Sequence, residues 1–110
     1  MKNRQFRHRV RIEELVEELD SNGALVSEWT LIAHRWCRVV PLSARELIAA
    51  AATQSKVTAR IEMRHCDWIT PTMRIVHRGK VYGIEGLLPD MKSGIEYLTL
   101  PVSEGVTDGR

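Results

Sequence analysis

Val57-Thr58-Ala59-Arg60-Ile61-Glu62-Met63-Arg64-His65 decides the class of this chain. Val57, Ala59, Ile61, Met63 and His65 fall on one face, while Thr58, Arg60, Glu62 and Arg64 fall on the other. A period of two belongs to a half-buried β-strand and not to a helix. Further short β segments follow closely. Met73 to His77 and Val81 to Leu88 read as a hairpin across Arg78-Gly79-Lys80, and Ile95 to Val102 as the last strand. Asp67 to Thr72, with Trp68 and Pro71, reads as a loop, and Pro89 to Gly94 as a turn. No nucleophile, base or metal constellation lies on these segments, which points to work by surface contact.

Upstream, Phe6, His8, Val10 and Ile12 alternate with Arg7, Arg9 and Arg11, again a strand. Asp20-Ser21-Asn22-Gly23 supplies residues that tolerate positive φ, so a turn is expected into a second strand from about Leu25 to Val40. So long a strand is expected to bend or bulge near Ala33 to Arg35. Glu13 to Leu19 is read as strand and loop, although Leu15, Val16 and Leu19 also fit a helical period. Pro41 ends the second strand. Ser43-Ala44-Arg45-Glu46 has the form of a capping box, in which the Ser43 hydroxyl accepts from the Glu46 amide and the Glu46 carboxylate reaches back. The helix it opens runs through Leu47, Ile48 and Ala49 to Ala52 and ends near Gln54. At about three turns it is marginal alone and is expected to lean on the strands.

The expected fold is therefore mainly β: a small antiparallel β-barrel or sandwich of about six strands with one inserted α-helix. At 110 residues and 44% apolar content, one domain over residues 1–102 is expected, followed by a polar tail, 103–110, too hydrophilic to pack. Cys37 and Cys66 are too few for a disulfide framework, and no apolar stretch suits a secretory leader or a membrane span. Reduced thiols and no membrane partner are the expectation. The net charge of +2 is too small to argue for a dedicated nucleic-acid binder. Its distribution says more: residues 2–11 hold five bases and no acid, whereas residues 13–28 hold six acids and no base. Such segregation suits complementary patches between copies or with a partner.

His34, Cys37, His65 and Cys66 are the candidate metal ligands. In strands, positions i and i+1, like i and i+3, point to opposite faces, so neither pair converges on one ion and no metal is expected. Cys66 with His65, or Ser43 with His34, are the candidate nucleophile–base pairs. Adjacent Cys66 and His65 diverge on a strand, and Ser43 already has a capping role, so neither catalysis nor a cofactor is expected. Trp29, Trp36 and Trp68 are either stacking platforms for single-stranded nucleic acid or packing anchors. Trp36 is assigned to the core and Trp68 to an interface or rim.

The order Val39-Val40-Pro41-Leu42-Ser43-Ala44-Arg45-Glu46-Leu47, then Thr58 to His65, Ile69 to Ile75, Gly79 to Gly86 and Glu96 to Leu100, resembles the head-tail joining, or head closure, proteins of tailed bacteriophages. The resemblance covers roughly residues 5 to 100. Ala44 departs from it, since the family often carries Gly there, and Ala suits a helix start better. The resemblance implies a structural virion protein made in the host bacterial cytoplasm. It implies a ring, a dodecamer, added below the portal and its adaptor, closing the DNA-filled head and docking the tail. The implied partners are further copies of the chain, the portal adaptor, a tail completion protein and packaged double-stranded DNA. Arg45, Glu46, Lys56, Arg60, Arg64 and Trp68 are the candidate interface or channel-facing residues, and Leu42 to Lys56 the element expected to move or dock. The alternative is a small β-barrel module binding single-stranded nucleic acid.

Overall fold

The computed structural model describes residues 6–105. Its elements are β1 (His8–Leu19), β2 (Leu25–Pro41), α1 (Ala44–Ala52), β3 (Ala59–Arg64), β4 (Arg74–His77), β5 (Lys80–Ile84), β6 (Leu88–Pro89) and β7 (Tyr97–Glu104). Every pairing is antiparallel, and the order β3-β2-β1-β4-β5-β7 closes on itself because β7 also pairs with β3. Two-residue β6 adds to β7 at Thr99 and Leu98. Closure removes the free edges that an open sheet of this length would leave.

The alternation read in 57–65 sets the core. Ala59, Ile61 and Met63 are buried, and Val10 and Ile12 from β1, Ile75 from β4 and Leu98, Leu100 and Val102 from β7 meet them inside. Turn chemistry fixes the connections. Asp20 accepts the amides of Asn22 and Ala24 on Oδ1 at 2.8 and 2.9 Å, and Gly23 has a φ of 81°. Arg78 and Gly79 both take positive φ, the two-residue type I′ turn whose twist matches the flanking strands.

Five expectations need correction. Glu13 to Leu19 contains no loop: it is strand throughout, paired residue by residue with β2 from Leu31 to Leu25. The bulge lies one residue before the expected stretch. Ile12 opposes Ala33 and Glu13 opposes Leu31, leaving Ile32 as the extra residue. The last strand starts at Tyr97 and runs on to Glu104, because Ser103 is buried and its hydroxyl donates to Glu85 Oε2 at 2.6 Å, while the Gly105 amide donates to the Val81 carbonyl at 3.0 Å. The rest of the polar tail, 106–110, lies outside the described residues. Helix α1 does not lean on the sheet, since none of its residues is buried. Trp36 is not core: it lies on the face of β2 opposite buried Cys37 and is 54% exposed.

The hairpin outruns the closed sheet. β4 pairs only with Arg11 to Glu13 of β1, and β3 only with Cys37 to Pro41 of β2. Residues 14–19 and 25–30 therefore pair with each other alone, forming a two-stranded ribbon on a molecule 52 Å along its longest axis. Such a ribbon is marginal in water unless braced. Its brace is Glu13, 6% exposed, which accepts from Arg74 Nε at 2.8 Å and Arg11 Nε at 3.1 Å. The Arg74 guanidinium in turn lies 4.3 Å from the centroid of the Trp29 ring, on the opposite ribbon strand. Burial pushes the Glu13 carboxyl up, but the hydrogen bonds and charges of Arg74 and Arg11 outweigh it and hold the group below its ordinary 4.5.

Two measurements check this account. Ile61→Ala should cost about 2–5 kcal/mol in denaturant unfolding, as a fully buried branched side chain leaving a cavity. For the brace, a native carboxyl held below its unfolded value confers stability that is complete above pH 4.5 and lost as pH falls through the lowered native value. Glu13→Gln should flatten that acid limb. Arg74→Ala, which leaves Glu13 buried with one partner fewer, should cost on the order of 2 kcal/mol at pH 7.

Candidate assembly surfaces

The six residues singled out from sequence separate into two groups at opposite ends of β3. Arg45, Glu46, Lys56 and Arg60 gather around α1. The capping box forms as read: the Glu46 amide donates to Ser43 Oγ at 3.2 Å, and Glu46 Oε1 accepts the Ser43 amide at 2.9 Å. The second carboxylate oxygen of Glu46 takes Arg60 Nη1 at 3.0 Å, tying the helix start to β3. The Ser43 amide first, and the Arg60 guanidinium after it, draw the Glu46 carboxyl below its ordinary value. Arg45 and Lys56 are exposed. Leu47 and Ile48 are also exposed, Ile48 by 72%, so a nine-residue helix presents its branched side chains to solvent.

Arg64 and Trp68 lie at the far end, roughly 13 Å down the strand from Arg60 at the usual rise per residue. There a shallow groove of about 300 Å³ is lined by Phe6, His34, Arg35, Trp36 and Arg64. Guanidinium groups lie over rings throughout this region: Arg9 over Trp36 at 5.7 Å, Arg35 over Trp68 and Arg64 over Tyr97 at 6.0 Å each. Arg35 also donates to the Arg64 carbonyl at 2.9 Å. Trp68 is half-buried and packs against the core. Trp36 is one of the three tryptophans weighed as stacking platforms, whereas Arg9 is not among the candidate site residues; their register, Arg9 opposite Trp36 on the outward face of β1 and β2, is implicit in the basic alternation of residues 7 to 11.

Cys37 is buried in the core, with its thiol pushed up to about 12 by desolvation, while His34 is exposed. Burial raises the Cys66 thiol too, against the pull of Arg35. Neither sulfur is a thiolate at neutral pH, so neither is activated for attack. Among the described residues no three His, Cys, Asp or Glu side chains gather as a metal-binding group. Ser43 Oγ is engaged at the helix cap.

A third exposed feature is the loop from Pro89 to Glu96, missed in sequence apart from its turn character. Asp90 organises it: Oδ1 accepts the Lys92 and Ser93 amides at 2.9 and 2.7 Å, and Oδ2 accepts the Ser93 hydroxyl at 2.8 Å and the Glu96 and Tyr97 amides at 3.1 Å each. These donors, Ser93 foremost, hold the Asp90 carboxyl far below its ordinary value. The loop so fixed carries Met91 and Ile95 outward, fully exposed in the case of Met91.

Residues 1–105 match the model of a family described as phage head completion protein. No curated protein matches the chain. Among solved structures, the solution structure of protein SF1141 from Shigella flexneri 2a aligns with a TM-score of 0.75 at 29% identity, over 92% of this chain and 94% of that one. A chain from the virion of the native gene transfer agent particle aligns with a TM-score of 0.60 over 96% of this chain and 100% of that one. At 16% identity, the second is a likeness of fold alone. With the family match spanning nearly the whole described fold, the chain belongs to the phage head completion protein family, and is a structural component of the virion.

Proposed function

We propose that this protein assembles as a ring, a dodecamer, beneath the portal and its adaptor, where it closes the DNA-filled head and offers the surface on which the tail docks. Its partners are further copies of itself, the portal adaptor, a tail completion protein and the double-stranded DNA that passes through the channel. The observation that carries the reading is α1. A nine-residue helix lies below the length that is stable alone in water, and none of its residues is buried within the chain. An element of that kind gains its packing from a neighbour. Leu42 to Lys56 is thus the working element, with Arg45 and Lys56 free at its surface and Glu46–Arg60 as its tether to the sheet. Arg60 and Arg64 on β3, and Trp68 in the loop after it, complete the contacts. The closed sheet stays rigid, and no chemistry is performed.

One observation favours a module binding single-stranded nucleic acid instead: the groove that places Arg35 and Arg64 beside exposed Trp36. Oligonucleotide binding by the purified protein that weakens steeply with salt would support it.

The purified chain is expected to be a monomer or small oligomer at low concentration, forming the ring on its template or when crowded. Light scattering across a concentration series checks this, and a stable large ring at micromolar protein in high salt would contradict it. Ala50→Pro should cost on the order of 3 kcal/mol within the helix. Because the helix is unburied, the closed sheet should still fold, with unchanged near-ultraviolet circular dichroism, while a phage dependent on this variant yields DNA-filled heads that lose their DNA and lack tails. Normal infectious yield from the folded variant would remove Leu42 to Lys56 from the reading.

A further inference from the structure

The free tip of the β1–β2 ribbon is apolar and exposed. Leu19 and Leu25, directly opposite each other at its tip, are 69% and 65% exposed, and Val26 is exposed beside them. Glu14, Glu17, Glu18 and Glu28 lie along the same ribbon, and none of them is paired with a base among the described residues. The brace at Glu13, Arg74 and Trp29 holds this unpartnered piece of sheet out from the body, so the entropy of ordering it is already met before anything binds.

A complement exists on the same chain. Arg9, Arg35 and Arg64 surround exposed Trp36, exposed Arg7 lies two residues before Arg9, and none of these four reaches a carboxylate among the described residues. One face of the ribbon carries Glu14, Glu18 and Glu28 with Val26 at its tip, because Glu18 opposes Val26 and Glu28 opposes Val16, and the groove is basic with an apolar centre. They cannot meet within one chain, because Arg9 and Glu18 lie on the same continuous strand, roughly 30 Å apart at its usual rise. A surface and its complement held apart on one rigid body make a head-to-tail contact between copies, and such contacts close into rings when the rotation allows.

We propose that the β1–β2 ribbon of one copy lies on the basic groove around Trp36 of the next, with Glu14, Glu18 and Glu28, which share one ribbon face, turned toward Arg7, Arg9 and Arg64. The proposal rests on the reading of the protein as a ring subunit and names the surfaces that join its copies. The contact is screened by salt, which agrees with assembly that needs a template or crowding. Its sign pattern also sets direction, since two ribbons or two grooves repel one another.

The test uses two charge-reversed proteins. One carries Glu14→Lys, Glu18→Lys and Glu28→Lys; the other carries Arg7→Glu, Arg9→Glu and Arg64→Glu. None of the six positions is buried, and melting curves confirm that each variant folds. By sedimentation at high protein concentration and low salt, each alone should self-associate on the order of tenfold more weakly than the native chain, since like charges then face each other. Mixed in equal amounts they should recover association, because each ribbon then finds a groove of opposite sign. Unchanged association of either variant alone, or no recovery on mixing, overturns the proposal. A photo-cross-linking residue at Val26 in the otherwise native chain supplies a second readout. Adducts near Trp36 of another copy support the contact, and adducts to DNA or to a different protein overturn it. Supply of the native chain to phage lacking it separates the two readings: failure to restore filled, tailed heads counts against the proposed function, whereas restoration without recovery on mixing counts against this interface alone.

Discussion

The antiparallel pairing of β3 with β7 is the constraint on which the remaining structure depends. β7 is hydrogen-bonded on both edges, to β3 on one and to β5 and β6 on the other, so it is the strand that turns a meander into a closed sheet. Six residue pairs, from Ala59 with Val102 to Arg64 with Tyr97, set the register. Ile61 opposite Leu100 and Met63 opposite Leu98 then bring four core side chains onto one face. A one-residue slip would turn Arg60 and Glu62 inward and those apolar residues outward, so the hydrophobic pattern and the closure enforce each other.

Closure has a consequence for everything outside it. A sheet with no free edge has no strand left with which to pair a partner, so recognition by strand addition is unavailable along most of its length. What remains are projections: the ribbon beyond Glu13, the helix between Pro41 and Ala59, and the loop ordered by Asp90. Each is fixed at its base by ionic or capping hydrogen bonds rather than by apolar packing. Glu13 to Arg74, Glu46 to Ser43 and Arg60, and Asp90 to Ser93 are three versions of one device, a carboxylate that collects donors where the chain leaves the sheet. The apolar side chains of each projection, Leu19, Ile48 and Met91 among them, are thereby left for contact with other molecules.

Much of this is legible in the sequence wherever one local rule decides. The period-two pattern of 57–65, the Asp20 to Gly23 turn, the Ser43 to Glu46 capping box and the Arg78-Gly79 turn all appear where they are read. The six long strands correspond one to one with the expected six, with the fifth broken after Ile84 and a two-residue β6 beyond the break. Misreadings fall where local pattern is silent about tertiary surroundings. Glu13 to Leu19 is strand because β2 pairs with it, although its own residues also fit a helix. Ser103 looks solvent-bound, but Glu85, eighteen residues earlier, supplies its partner. Trp36 looks like core by residue type, yet its parity on β2, opposite to that of Cys37, places it outside. Of the candidate site residues, spacing alone could place Arg60 and Arg64 on one face of β3. It could not show that Arg60 joins the helix cap while Arg64 joins the aromatic groove.

The same separation explains why a chain of nearly neutral net charge can carry directed contacts. Sixteen bases and fourteen acids almost cancel, so copies in dilute solution feel little long-range force from one another. At short range the cancellation fails, because the ribbon holds acids without bases and the region around Trp36 holds bases without acids. In the proposed contact, attraction between copies is confined within about a Debye length, roughly 8 Å at physiological salt, and depends on one orientation. A subunit that associates by the proposed contact stays dispersed until something holds its neighbours at that distance. A preformed template of repeated binding sites does so, and it raises the local concentration of each subunit for the next without any change in the contact itself.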